Sequence, residues 1–288
     1  MLRHALVIAL VLLFPLTLRA ESSPVGVVSG ISGTAQAVRV VRGQESFLPE
    51  VGMVIFQGDK ITVTAPDTTV TVDLNGRTDQ LTVTKDNAQK QGIISVKAEQ
   101  ASVISNIMRW LAGMGAHKRS QTVMLATRGQ APAIVVPIFR PNAQAVAAGP
   151  QDWPLIWSGG AAPYGVRLLG SSDAAVLIQK AGLTQPAVVL EGVNPTPGEY
   201  VLEVQGGGRK AVQPLVVVAR SALPGMPKEI SEMTATDELK ALLFIAWLSR
   251  QDNGKWGFEA MLQANRLSHA YPPAGSLLRS LQERADAE

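Results

Sequence analysis

From Val25 to Thr84 short apolar runs alternate with polar positions at a period of two, and Gly-containing turns separate them. Side chains along a strand point to opposite faces in turn, so each run reads as a half-buried strand. Val25 to Val28 leads into the turn Gly30-Ile31-Ser32-Gly33, and Thr34 to Val40 alternates small or apolar with polar residues. Met53 to Phe56 and Lys60 to Thr64 flank a Gln57-Gly58-Asp59 turn. In Thr69 to Leu74, Val70, Val72 and Leu74 face one way and the threonines the other; Asn75-Gly76 then turns the chain back through Leu81-Thr82-Val83. Asn-Gly between two such runs is a strong hairpin signal. These patterns predict an all-β domain with one face in water.

The period changes between Glu99 and Gly113, where Val103, Ile107, Trp110, Leu111 and Met114 fall on one helical stripe. That spacing predicts an amphipathic helix between domains, ended by Gly113 and Gly115. Its polar face carries too few basic residues for a membrane-surface helix, so it is expected to pack on a core. Thr122 to Ala126 and Ala133 to Phe139 read as strands, and the small-residue run Pro141 to Pro150 as a connector at a domain boundary.

Strand-like runs recur from Trp153 to Ala219: Leu155 to Trp157, Tyr164 to Leu169, Ala175 to Gln179, Ala187 to Leu190, and Tyr200 to Val204 turning through Gly206-Gly207-Gly208 into Val212 to Val218. About seven short strands at this spacing predict an immunoglobulin-like or fibronectin-III-like sandwich, with Trp157 in its core. The triple glycine lies between strands and lacks a Lys-Ser/Thr ending, so it is a hairpin, not a phosphate loop. Beyond Pro227 the chain turns helical. Thr236 can cap a helix with Leu239, Leu242, Leu243, Ala246 and Trp247 on one stripe; Asn253-Gly254 stops it. A second helix carries Trp256, Phe258, Met261, Leu262 and Leu267, and a third follows Pro272-Pro273. No second copy of the unit appears, so the helices must dock on the chain's own β units or on a partner.

The N-terminus adds an address. Met1 to His4 is basic, Ala5 to Leu18 is apolar, and Ala20 offers a small residue for cleavage, the pattern of an export signal. The apolar run is shorter than the roughly 20 residues of a membrane span. The expected product is a periplasmic chain with no span once the signal is removed. Of 26 basic residues against 23 acidic ones, Arg3 and Arg19 lie in that signal, so the remainder is nearly neutral and no nucleic-acid partner is expected. The chain has no Cys, which excludes disulfides, thiol nucleophiles and a cysteine-linked lipid. The resulting division is a signal over 1–20, a β domain over 21–98, a helix, strands and connector over 99–150, a sandwich over 151–222 and a helical tail over 223–288.

The first β domain resembles the FecR domain of bacterial envelope proteins. The likeness rests on Gly26-Val27-Val28, Gly30, Gly33, Ala35, Ala37-Val38, then Leu48-Pro49, Val51-Gly52-Met53, then Gly58-Asp59-Lys60-Ile61, Val63, and the strand Val70 to Leu74 with Asn75-Gly76. It spans Val25 to Val96. FecR transducers place a cytoplasmic anti-sigma segment and a membrane span before this domain; here Met1 to Glu21 stands in that place. The resemblance therefore implies at most a periplasmic sensor working through a separate membrane partner.

Little chemistry is legible. Outside the signal the histidines are His117 and His269, in different predicted units and without a neighbouring His, so both read as solvated. Lys118-Arg119 reads as a surface turn, Asp237-Glu238 as a helix start, and Ser158-Gly159-Gly160 lacks the frame of a nucleophile elbow. No catalytic residue, metal site or cofactor is expected. The expected role is a non-enzymatic binding or scaffold protein acting on an unidentified envelope or membrane protein or an envelope polymer. Trp247 and Trp256 are its candidate interaction surface.

Overall fold

The computed structural model describes residues 22–95, 103–116, 131–172 and 174–283. The predicted signal with its cleavage point at Ala20, the strand Thr122 to Ala126, His117 and Lys118-Arg119 lie outside those residues.

The fold is mainly β, in two units with helices gathered toward the C-terminus. The first unit contains β1 (Pro24–Ser32), β2 (Val38–Arg42), β3 (Glu45–Phe47), β4 (Val54–Phe56), β5 (Lys60–Val63), β6 (Thr69–Leu74) and β7 (Leu81–Thr84), followed by the single turn α1 (Ala88–Gln91). One sheet runs β4-β1-β6-β7 and the other β3-β2-β5. The predicted hairpin pairs Thr69 with Thr84 and Val72 with Leu81. Val28, Val38, Val40, Ile55, Ile61, Val70, Val72 and Val83 form the core between the sheets. The start of the Thr34 to Val40 run departs from expectation, because Ala35–Ala37 is a 3-10 turn and the strand begins at Val38.

Asp59 of the Gly58-Asp59 pair is fully buried. Its carboxylate accepts from Nε and Nη2 of Arg42, both at 2.8 Å, and from the amide of Phe56 at 2.9 Å. This bidentate pair ties the β4–β5 turn to β2, and so links the two sheets. The expected wet face is not wet over its centre. Val27 and Asp73, paired across β1 and β6, point away from the inter-sheet core, and both are buried. They are covered by α2 (Val103–Ala116) and by the C-terminal helices, whose apolar stripes would otherwise face solvent.

In α2 the fully buried line is Ile104, Ile107 and Met108, spaced i, i+3, i+4, so the helix is rotated slightly from the stripe expected and Trp110 is left half-buried. The run Ala133 to Phe139 is no regular strand: Ile134, Val136 and Ile138 are buried, but it forms only one isolated bridge, Val135 to Ser158, and then turns at Pro137-Ile138, where the Phe139 amide donates to the Val136 carbonyl at 2.9 Å. The small-residue run read as a connector holds β8 (Gln144–Ala147), buried along its whole length. Small residues suit it because it lies between a neighbouring strand and a helix.

The second unit is a seven-stranded sandwich. It contains β8, β9 (Gln151–Ile156), β10 (Tyr164–Gly170), β11 (Val176–Leu183), β12 (Ala187–Val193), β13 (Gly198–Gly206) and β14 (Arg209–Val218), in sheets β11-β10-β13-β14-β8 and β12-β9. β8 pairs parallel to β14. Trp153, Leu155, Trp157, Val166, Leu168, Leu190, Leu202 and Leu215 fill the interior, and Trp157 meets Tyr164 edge to face at 5.3 Å. Gly207 and Gly208, at φ 58° and 75°, make the β13–β14 turn, a conformation that favours glycine at both places. The Tyr200 hydroxyl donates to the Thr196 carbonyl at 3.0 Å, an upstream backbone bond of the tyrosine-corner kind found in Greek-key sandwiches.

The tail consists of α3 (Lys228–Glu232), α4 (Asp237–Leu248), α5 (Gly257–Ser268) and α6 (Pro272–Glu283). Thr236 caps α4 by accepting from the Leu239 amide at 3.2 Å, and Asp237 and Glu238 favour the positive end of the helix dipole. α4 ends at Leu248, a turn earlier than predicted. Asp252 and Asn253 adopt positive φ in the tight turn that starts α5.

The helices dock on both β units. α5 lies on β8 and β9, where Phe258 meets Trp153 edge to face at 5.2 Å. α6 lies on β1, and Ser276 donates to the Val51 carbonyl at 2.8 Å. Gly52 is required there: its φ is +90° and a Cβ would stand 2.8 Å from Ser276. No helix among the described residues is long and apolar enough to cross a membrane.

Candidate functional site

Two helices from distant parts of the chain meet at a groove of about 430 Å³ lined by Val103, Asn106, Ile107 and Trp110 of α2 and by Trp247, Arg250 and Gln251 at the end of α4. The α2 set follows the i, i+3, i+4 spacing that puts residues on one helical face, whereas Trp247 sits in the last turn of α4 and Arg250 and Gln251 in the turn that follows it. The two faces come together because Ile104, Ile107 and Met108 share a core with Leu239, Leu242, Leu243 and Ala246.

Trp247 is half-buried, and Phe244 stacks behind it with ring centroids 5.8 Å apart and planes at 25°. The packed phenyl ring fixes the indole plane, leaving part of it open to the groove. Three residues on from it on the same wall, Arg250 reaches across to α2, where its guanidinium lies 5.6 Å from the centre of the Trp110 ring, within the range of a cation–π contact. Gln251 donates from Nε2 to the Trp247 carbonyl at 3.1 Å, which holds its amide at the rim; Asn106 is exposed on the opposite rim. The set offers aromatic surface, one permanent cation and two amides.

The two tryptophans singled out in the sequence have different places. Trp247 lines the groove. Trp256 corrects the expectation of a surface role: it is 5 % exposed, and its Nε1 donates to Asp252 Oδ2 at 3.1 Å across the α4–α5 turn. It is buried because the tight turn folds α5 back onto α4. His269 is exposed at the end of α5, with Nδ1 2.9 Å from the Asn265 carbonyl. Trp157 is in the sandwich core as expected. Asn106, Arg250 and Gln251 carried no signal along the sequence beyond helical spacing, since the facing helix could not be inferred from either segment.

The buried charges elsewhere join elements. Glu203 of β13 is held by Arg167 of β10 at 2.5 Å and by Lys210 of β14. Burial pushes the Glu203 carboxyl up, but the hydrogen bonds and charges of Lys210 and Arg167 outweigh it and hold the group below its ordinary range. Glu259 of α5 accepts from the Ala147 amide at 3.0 Å and from Gln263 at 2.8 Å. Among the described residues no cluster of three or more His, Cys, Asp or Glu is placed to hold a metal ion.

No family model and no curated protein matches the chain. Among solved structures it is similar to CopC from Methylosinus trichosporium OB3b, with 21% identity over 29% of this chain and 92% of that one, at a TM-score of 0.23. A likeness that slight carries no functional argument.

Proposed function

We propose that the chain is a non-enzymatic binding or scaffold protein of the periplasm that engages an envelope partner through the α2–α4 groove. The observation that carries this reading is Trp247, held by Phe244 yet open to a groove that the neighbouring Arg250 spans to reach the Trp110 ring of α2. Aromatic residues and arginine are the side chains that most often dominate binding energy at interfaces. The groove offers contact surface and fixed polar groups, which suits recognition.

A second reading is supported by Gly52, one of the residues carrying the FecR resemblance. It abuts Ser276 of α6, so a change at that β edge would be felt by the tail. On this reading the protein is a sensor that reports to a separate membrane partner.

Site-specific photo-crosslinking in intact cells tests the proposal. A benzophenone side chain in place of Asn106, exposed on the groove rim, is expected to give a discrete adduct that the same group at Val189, exposed on β12, does not give. Identical labelling from both positions, or none from 106, rejects the groove as the contact. An adduct to a membrane-spanning protein with a cytoplasmic output domain selects the sensor reading; an adduct to any other envelope component selects the scaffold.

A further inference from the structure

We propose that the α2–α4 groove takes an acidic saccharide, with a sugar ring stacked on Trp247 and its carboxylate on Arg250; this rests on the binding reading above and names the ligand of the same site. A pyranose has apolar C–H faces and a rim of hydroxyls. The groove mirrors that division. The indole of Trp247 supplies a flat apolar surface already fixed by Phe244, so little side-chain freedom is lost on stacking. The Asn106 amide and the Gln251 amide oxygen stand at the rim, and an amide both donates to and accepts from hydroxyls.

The charge selects among saccharides. Arg250 is exposed, its guanidinium lies over the Trp110 face, and among the described residues it makes no ion pair. A guanidinium in this state recognises a carboxylate through two parallel hydrogen bonds. The volume, about 430 Å³, lies within the roughly 300–1,000 Å³ of small-molecule sites. A helical peptide would need a continuous apolar groove, and here Asn106, Arg250 and Gln251 interrupt one. A lipid surface would need a polybasic face, and α2 carries Arg109 alone among its charged residues.

Calorimetric titration of the purified full chain with trigalacturonate, neutral chitotriose and a triglutamate peptide tests the assignment. Trigalacturonate is expected to bind more tightly than either of the others. Trp247→Ala should weaken it by about tenfold or more, and Arg250→Gln should remove its advantage over chitotriose, a loss of about tenfold. Trp247→Phe, which retains a ring, should retain most of the affinity; with the exposed Arg250→Gln it carries the test if Trp247→Ala does not fold. No binding of trigalacturonate, equal binding of triglutamate, or binding indifferent to Trp247 and Arg250 overturns the proposal. If saccharides fail while position 106 still crosslinks, the ligand class is wrong and the binding reading stands. If both fail, both are wrong.

Discussion

The Tyr271 hydroxyl donates to Oδ2 of Asp73 at 2.6 Å, joining residues 198 positions apart. Asp73 lies on β6 and Tyr271 at the junction of α5 and α6, so one hydrogen bond ties the tail to the first β unit. Nearby, the Gly76 amide donates to the Thr234 carbonyl at 2.7 Å. At the other end, Gln144 of β8 accepts from the Phe258 amide at 2.7 Å, and Phe258 packs on Trp153. The tail is thus fastened to both β units by polar contacts within apolar seams.

Tyr271→Phe should lower stability by about 1.5–3 kcal/mol, the usual worth of a hydrogen bond to a charged group, because it leaves Asp73 buried with only Gln80 beside that oxygen. Urea denaturation measures this directly. Burial, then the Asp73 hydrogen bond and the charges of Asp73 and Glu238, raise the Tyr271 pKa far above its ordinary 10.0. The folded state therefore keeps a proton that the unfolded state releases, and stability should fall as pH rises above 10.0. In Tyr271→Phe that part of the alkaline loss should be absent.

Gln144→Leu should cost about 1–3 kcal/mol, since it removes the acceptor for the Phe258 amide at the start of α5 and the donor to the Ile138 carbonyl, both in a buried setting. No side chain at the N-cap position, Trp256, does this work. A shift in the urea midpoint with an unchanged slope is the expected result.

This strand also marks how far the sequence could be read. Most strands of both β units, the Asn75-Gly76 hairpin, the Thr236 cap and the core place of Trp157 follow from period and turn chemistry, which are local; the three-residue β3 (Glu45–Phe47) is too short to show a period. β8 does not, because Gln-Ala-Val-Ala looks like a linker until β14 and α5 close on it. Asp73 likewise breaks no alternation in its strand; only the arrival of Tyr271 makes it buried. The groove needed two helices to meet, so Trp247 was legible as a residue and its neighbours Asn106, Trp110 and Arg250 were not legible as a set.

Trp256→Ala and Trp247→Ala should separate cleanly. Removing buried Trp256 should cost about 3–5 kcal/mol through the cavity it leaves. Trp247→Ala should cost less, because the ring is partly solvated, and should leave the circular dichroism spectrum unchanged while removing the crosslink at the groove. Thermal melts of the two variants side by side provide the comparison.

Glu203 predicts an acid response. Its folded-state pKa is held below the ordinary 4.5, so its contribution to stability is complete above that value and is lost as pH falls through the lower, folded value. Glu203→Gln should therefore show a shallower loss of stability below pH 4.5 than the parent chain. Urea midpoints across the acid range will show it; parallel curves would assign the acid response to other groups.

Every reading above relies on the tail making one body of the two β units and thereby fixing α4 against α2. Differential scanning calorimetry of the full chain tests this most directly. A single transition is predicted, with calorimetric and van't Hoff enthalpies equal, moving as a whole to lower temperature in Tyr271→Phe and in Gln144→Leu. Two separable transitions, with each substitution shifting only the unit it touches, would contradict it.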